Sequence, residues 1–175
     1  LFPENPIAVM SGPNFADEIA SGDKAITSVA AKDLSVAQYI ADLLKNDNFQ
    51  PYICDDIIGA QFAGAAKNVI AIYMGYAEAK NFSQSQKAAI ITKGINEIAM
   101  IAQKFGAKKE TMLEPCAIGD LVLTCSSLKS RNMSLGFEIG QGKTIEDILK
   151  KRITVAEGYH SAKIINKIAK EQNLQ

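Results

Sequence analysis

The sequence predicts an α/β segment followed by a mainly α-helical region, and three observations carry that reading. Short apolar runs alternate with helix-like stretches as far as residue 57, and beyond Gly59 the apolar residues fall instead at helical spacing. Hydrophobic residues make up 47% and charged residues 22%, a balance that belongs to a folding chain and not to a disordered one. At 175 residues there is room for one large core or for two small, incompletely closed units.

Residues 7–10, Ile-Ala-Val-Met, read as a buried strand ended by Ser11-Gly12-Pro13. Asn14 is then expected to cap a brief helix with Asp17 and Glu18 in its first turn. Residues 25–30 form a second strand, Asp33 opens a helix over 34–44, and residues 49–53 form a third strand closed by Asp55-Asp56. Three strands in so short a stretch look like one side of a sheet whose remainder lies elsewhere. From Gly59 the period changes: Phe62, Ala66, Val69, Tyr73 and Tyr76 share one helical face, as do Ile91, Ile95, Ile98, Ala102 and Phe105 before Gly106. Shorter helices are expected around 111–113, 120–125, 131–139, 145–149 and 160–172.

Charge and composition remove several functional classes. Lys plus Arg and Asp plus Glu each number 19, so no global field draws in nucleic acid or anionic lipid, and any anion must be caught locally. Cys54, Cys116 and Cys125 are odd in number and lack C-x-x-C spacing, which points to free thiols of a cytoplasmic protein. His160 is the single histidine and has no ligating residues at metal spacing, so no metal site is expected. The chain opens Leu1-Phe2-Pro3-Glu4 without Met and without the features of a signal peptide, and is therefore expected to be a fragment missing its front.

Three clusters could carry chemistry. In GAQFAGAAKNVIAIYMGYA, residues 59–77, the one charged residue is Lys67, set among Ala63, Gly64 and Ala71. A lysine in so uncharged a helix is either buried, and then paired with a carboxylate or poised for proton transfer, or it snorkels to the surface. The run is long enough to raise a membrane span, but Gln61, Lys67 and Asn68 inside it argue against one. Asp120 stands at the entrance to an apolar run, either as a helix cap or as the counter-charge Lys67 requires. Ser130 can cap a helix with Arg131 and Asn132 in its first turn, which is either an ordinary cap with a solvated arginine or a site for a phosphomonoester. Two phosphate motifs fail: Gly142-Lys143-Thr144 has Gly136 one residue too early for a P-loop, and Gly140-Gln141-Gly142 has Ile145 at the third glycine position.

Taken in order, the segments SGPNFADE (11–18), DDIIGAQFAGAAKNVIAI (55–72), GDLVLTC (119–125), SRN (130–132), GQGK (140–143) and VAEG (155–158) resemble NAD(P)-dependent glycerol-3-phosphate dehydrogenases of the bacterial type. The resemblance runs from about residue 7 to near the C-terminus. It implies that residues 1–57 are the last part of a Rossmann-type dinucleotide-binding domain. Residues 58–175 would then be an all-helical substrate-binding and dimerisation domain, similar to the C-terminal domain of 6-phosphogluconate dehydrogenase. It further implies interconversion of sn-glycerol 3-phosphate and dihydroxyacetone phosphate with NAD or NADP, in a cytoplasmic homodimer that supplies glycerol phosphate for phospholipid synthesis. Lys67 would be the general base and Asp120 its partner; Gly12, Asn14, Ser130, Arg131 and Asn132 would join them in binding substrate; Ala16, Arg131, Val155 and Glu157 would contact cofactor. The family often has Ser or Thr where this chain has Asn14, and often Arg where it has His160, which takes no role. No G-x-G-x-x-G follows a strand, so the pyrophosphate site is missing and the chain alone is expected to be inactive. The competing expectation is a non-enzymatic helical dimerisation or ligand-sensing module, presented on the small-residue face of Ala60, Ala63, Gly64 and Ala71.

Overall fold

The computed structural model describes residues 5–151 and 156–172. Strand β1 (Ala8–Ser11), helix α1 (Ala16–Ala20), strand β2 (Ala25–Ala31), helix α2 (Leu34–Leu44) and strand β3 (Phe49–Cys54) come first. The strands form one sheet in the order β1-β2-β3, with β1 antiparallel to β2 and β3 parallel to it. The eleven residues of α2 supply the crossover that a parallel neighbour requires. Asp33 starts that helix as expected, its carboxylate accepting from the Ser35 N–H at 2.9 Å. Alternation along β2 divides its contacts: Val29 and Ala31 pack on Ala37 and Ala41 of α2, while Ala30 joins the core on the opposite face.

The helical region follows as α3 (Ile57–Ala79), α4 (Gln84–Gln103), a 3₁₀ turn (Glu110–Leu113), a wide π-type turn (Pro115–Gly119), α5 (Asp120–Ser126), α6 (Arg131–Gly140), α7 (Ile145–Lys151) and α8 (Glu157–Glu171). Buried Asp56 begins α3. Its carboxylate accepts from Gly59 N at 2.8 Å, Lys108 N at 2.8 Å and Thr111 Oγ1 at 2.6 Å, tying the helix start to the loop after α4. Helix α4 begins earlier than the apolar spacing suggests, because Ser83 and Gln86 form a reciprocal capping box, and the chain after it turns at Gly106 with φ +92°.

Helix α3 is long and apolar enough to cross a membrane by length and composition. Here it is the axis of the protein, touching the sheet, α4, α5, α6 and α8. Its first half packs Ala60, Ala63 and Ala66 against Ala30, Cys54 and Ile98, and its second half sets Ala71 and Met74 against Leu121, Cys125 and Met133. This corrects the small-residue dimerisation face: Ala60, Ala63 and Ala71 are buried inside the chain, and Gly64 faces Ser11, where a side chain would stand 3.4 Å from its Oγ. The closest helix pair is α3 with α6. A Cβ on Gly75 would lie 1.9 Å from the Met133 carbonyl oxygen, and one on Gly136 would lie 1.7 Å from that of Ile72, so only glycine permits this crossing.

Candidate functional site

Lys67 projects from the middle of α3, and its ammonium donates to the Asp120 carboxylate. Asp120 does not cap α5. The helix continues from the preceding π-type turn, so its first residue is already helical and its side chain is free to face α3. The lysine side chain keeps 20% of its exposure while the aspartate keeps 5%, so the carboxylate forms the floor and the ammonium reaches into a cleft. Ser11 Oγ and Thr124 Oγ1 each donate to Asp120 at 3.3 Å, one to each carboxylate oxygen. A buried carboxylate held by an ammonium and two hydroxyls is fixed in orientation. Cys125 is buried, and burial pushes its thiol up to about 12 despite nearby Lys67, which disfavours the thiolate there.

The cleft above this pair has a volume of about 310 Å³. The end of β1, the middle of α3, α5, the start of α6 and the start of α8 converge on it. Of the expected residues it gathers Asn14, Lys67, Asp120, Ser130, Arg131, Asn132 and Glu157. Ser130 caps α6 by accepting from Met133 N at 3.2 Å, which places the positive end of that helix at the cleft. Arg131 Nη2 stands 3.5 Å from Glu157 Oε1 at the N-terminus of α8. Asn132 is turned inward: its amide donates to Asn68 Oδ1 at 2.9 Å and accepts from Gly158 N at 2.9 Å, docking α8 on α3. That docking is close, because a Cβ on Gly158 would lie 2.6 Å from the Asn68 carbonyl oxygen.

Asn14 is a correction. Phe15 precedes α1 without a side-chain cap, and Asn14 instead donates to the Ile26 carbonyl at 3.1 Å. Its Oδ1 is buried at the cleft and has no hydrogen-bond partner among the described residues. Gly12 and Ala16 do not line the cleft. Gly12 packs on β2, where a side chain would lie 2.7 Å from Thr27 Cα, and Ala16 is exposed on α1. Val155 lies outside the described residues.

Ser11, Asn68 and Thr124 complete the site and were not singled out as site residues in the sequence. Thr124 carried a signal, standing four residues after Asp120 on the same helical face; Ser11 reaches Asp120 across 109 residues, and nothing local announces it. A larger cavity of about 410 Å³ between α3 and α4 is lined by Val69, Ile70, Tyr73, Phe82 and Ile90, and contains none of the expected residues.

The family described as NAD-dependent glycerol-3-phosphate dehydrogenase C-terminus matches residues 56–175. The chain is 41% identical over 173 residues, 99% of its length, to a glycerol-3-phosphate dehydrogenase [NAD(P)+] of Parvibaculum lavamentivorans, covering 52% of that protein. It is 42% identical over 175 residues to the enzyme of that name from Francisella tularensis subsp. novicida, covering 100% of itself and 53% of the relative. The chain thus spans about half the length of the curated relatives it matches. Among solved structures, the glycerol-3-phosphate dehydrogenase of Coxiella burnetii superposes with a TM-score of 0.92 at 30% identity, over 97% of this chain and 52% of that one.

Proposed function

Since the chain belongs to the glycerol-3-phosphate dehydrogenase family through its C-terminal domain, we propose that it carries the substrate and proton-transfer half of an NAD(P)-linked oxidoreductase interconverting sn-glycerol 3-phosphate and dihydroxyacetone phosphate. The observation that carries this reading is the pairing of Lys67 with buried Asp120 at the floor of a polar cleft whose rim is the capped start of α6. In this assignment residues 1–57 are the end of the dinucleotide-binding domain, residues 58–175 form the helical domain, and the protein works as a cytoplasmic homodimer.

The residues present fit the substrate edge of the cofactor and not its pyrophosphate. The glycine turn after β1 is packed on β2, so it offers no backbone approach to phosphate, and no glycine-rich fingerprint occurs elsewhere after a strand. Ala16, Arg131 and Glu157 are the residues that would meet the cofactor, with Val155 beside them in sequence. When bound, it supplies the hydride acceptor or donor. During oxidation Lys67, as the neutral amine, takes the proton of the substrate's C2 hydroxyl and becomes the ammonium; during reduction the ammonium gives that proton to the alkoxide oxygen. Asp120 neutralises and aims the ammonium, and Ser11 and Thr124 hold Asp120. Arg131, with the positive end of α6, grips the phosphate, and Asn14 Oδ1 accepts from a substrate hydroxyl. Asn132 supports the grip by fixing α6 against α8. Gly12 shapes the turn that presents Asn14.

The phosphate assignment is tested with Arg131→Gln in the complete protein that carries this chain. The dissociation constant for glycerol 3-phosphate, by calorimetric titration, is expected to rise by about tenfold or more, the effect of losing a charge-assisted contact. An unchanged constant would move the phosphate away from α6.

A further inference from the structure

Lys129 receives no role from the family resemblance, yet it lines the cleft immediately before Ser130. Its ammonium lies 3.1 Å from Asp17 Oδ2 and 3.1 Å from Glu18 Oε1, both on α1 and more than a hundred residues away in sequence, and 5.6 Å from the centroid of the Phe15 ring. Each end of this contact adjoins a proposed ligand contact. Asp17 follows Ala16 on the cofactor side, and Lys129 precedes Ser130 and Arg131 on the phosphate side.

We propose that Lys129 is a positioning residue, a strap that binds α1 to the α5–α6 loop across the mouth of the cleft and sets the separation of the cofactor side from the phosphate grip. The proposal rests on the functional reading above. One exposed ion pair contributes little, but here a single ammonium is shared by two carboxylates and covers an aromatic face, and it closes a very long chain loop. The mutual hydrogen bond holds Asp17 below the usual carboxylate range and Lys129 above the usual lysine range. Both charges therefore persist through neutral pH, and ionic strength, not pH, loosens the strap there. A bound substrate and cofactor that must meet within hydride-transfer distance are sensitive to this separation.

The test compares Lys129→Gln, Lys129→Arg, the pair Asp17→Asn and Glu18→Gln, and the combination of that pair with Lys129→Gln, all in the complete protein. At low salt, kcat/KM for dihydroxyacetone phosphate is expected to fall roughly fivefold in Lys129→Gln and equally in the acidic pair, with no further loss in the combination and near-wild-type values in Lys129→Arg. High salt is expected to bring wild type down to the variants, while inorganic phosphate binds all of them alike. A loss in Lys129→Gln without one in the acidic pair would make Lys129 a direct ligand and overturn the strap, as would an unchanged Lys129→Gln. Wild-type protein without turnover would instead defeat the functional reading. In that event amide exchange over residues 16–20 decides: faster exchange in Lys129→Gln sustains the strap, and unchanged exchange overturns it.

Discussion

If the proposed function holds, Lys67→Met is expected to lower kcat/KM for glycerol 3-phosphate on the order of a thousandfold in the complete protein, the range by which a positioned proton-transfer group accelerates such steps. Methionine fills much of the same space but can neither take nor return a proton. The substitution also strands Asp120, which has a side-chain exposure of only 5% and, among the described residues, retains just the hydroxyls of Ser11 and Thr124. Breaking one side of such a pair costs about 3 kcal/mol, so chemical denaturation should show a folded but less stable protein. Asp120→Asn separates the two effects, because the amide keeps the shape and removes the stranded charge while still disorienting Lys67. Lys67→Arg is expected to remain as slow as Lys67→Met, since a guanidinium does not give up its proton in the working pH range. Activity near wild type in Lys67→Met would remove the residue from the chemistry.

Gly136→Ala is expected to have the largest effect on folding. The added carbon would stand 1.7 Å from the Ile72 carbonyl oxygen, a backbone atom of the central helix, so α6 must move off α3 as a unit. Overpacking against an immovable neighbour costs about 3 kcal/mol or more, a large share of a typical domain's stability. Because α6 carries Arg131 at its start, whatever folded protein remains should bind glycerol 3-phosphate more weakly as well. Gly142→Ala provides the contrast. Gly142 has φ +91°, and a Cβ added there would meet nothing within 4 Å among the described residues, so only backbone strain of about 1 kcal/mol opposes a side chain there. Denaturation midpoints of the two variants should therefore differ widely, and equal midpoints would contradict the tight α3–α6 crossing.

Local chemistry made much of the fold legible. The Asp33 start of α2 and the Ser130 start of α6 rest on contacts within a few residues and appear where the sequence places them, while the helical period read from Gly59 belongs to a helix that begins two residues earlier, at Ile57. Asn14 shows the limit of local reasoning. An Asn before acidic residues is a good cap, but the carbonyl of Ile26 on the neighbouring strand holds its amide instead. The alanines of α3 were ambiguous for a similar reason, since a small-residue stripe has the same sequence whether it meets another copy or, as here, α4 and the sheet. At the candidate site, Lys67 demanded a counter-charge and Asp120 offered one, but 53 residues separate them and only the packing of α5 on α3 brings them together. Lys129 meets Asp17 and Glu18 across more than a hundred residues, and nothing next to it in the sequence announces that contact.

The most direct measurement is NAD(P)H oxidation by the complete protein with dihydroxyacetone phosphate and, in parallel, with unphosphorylated dihydroxyacetone. Turnover of the phosphorylated ketone, with the unphosphorylated one slower by about a hundredfold or more, is expected if the α6 start grips a phosphate while Lys67 delivers the proton. No oxidation with dihydroxyacetone phosphate, or equal rates with the two ketones, would contradict that site.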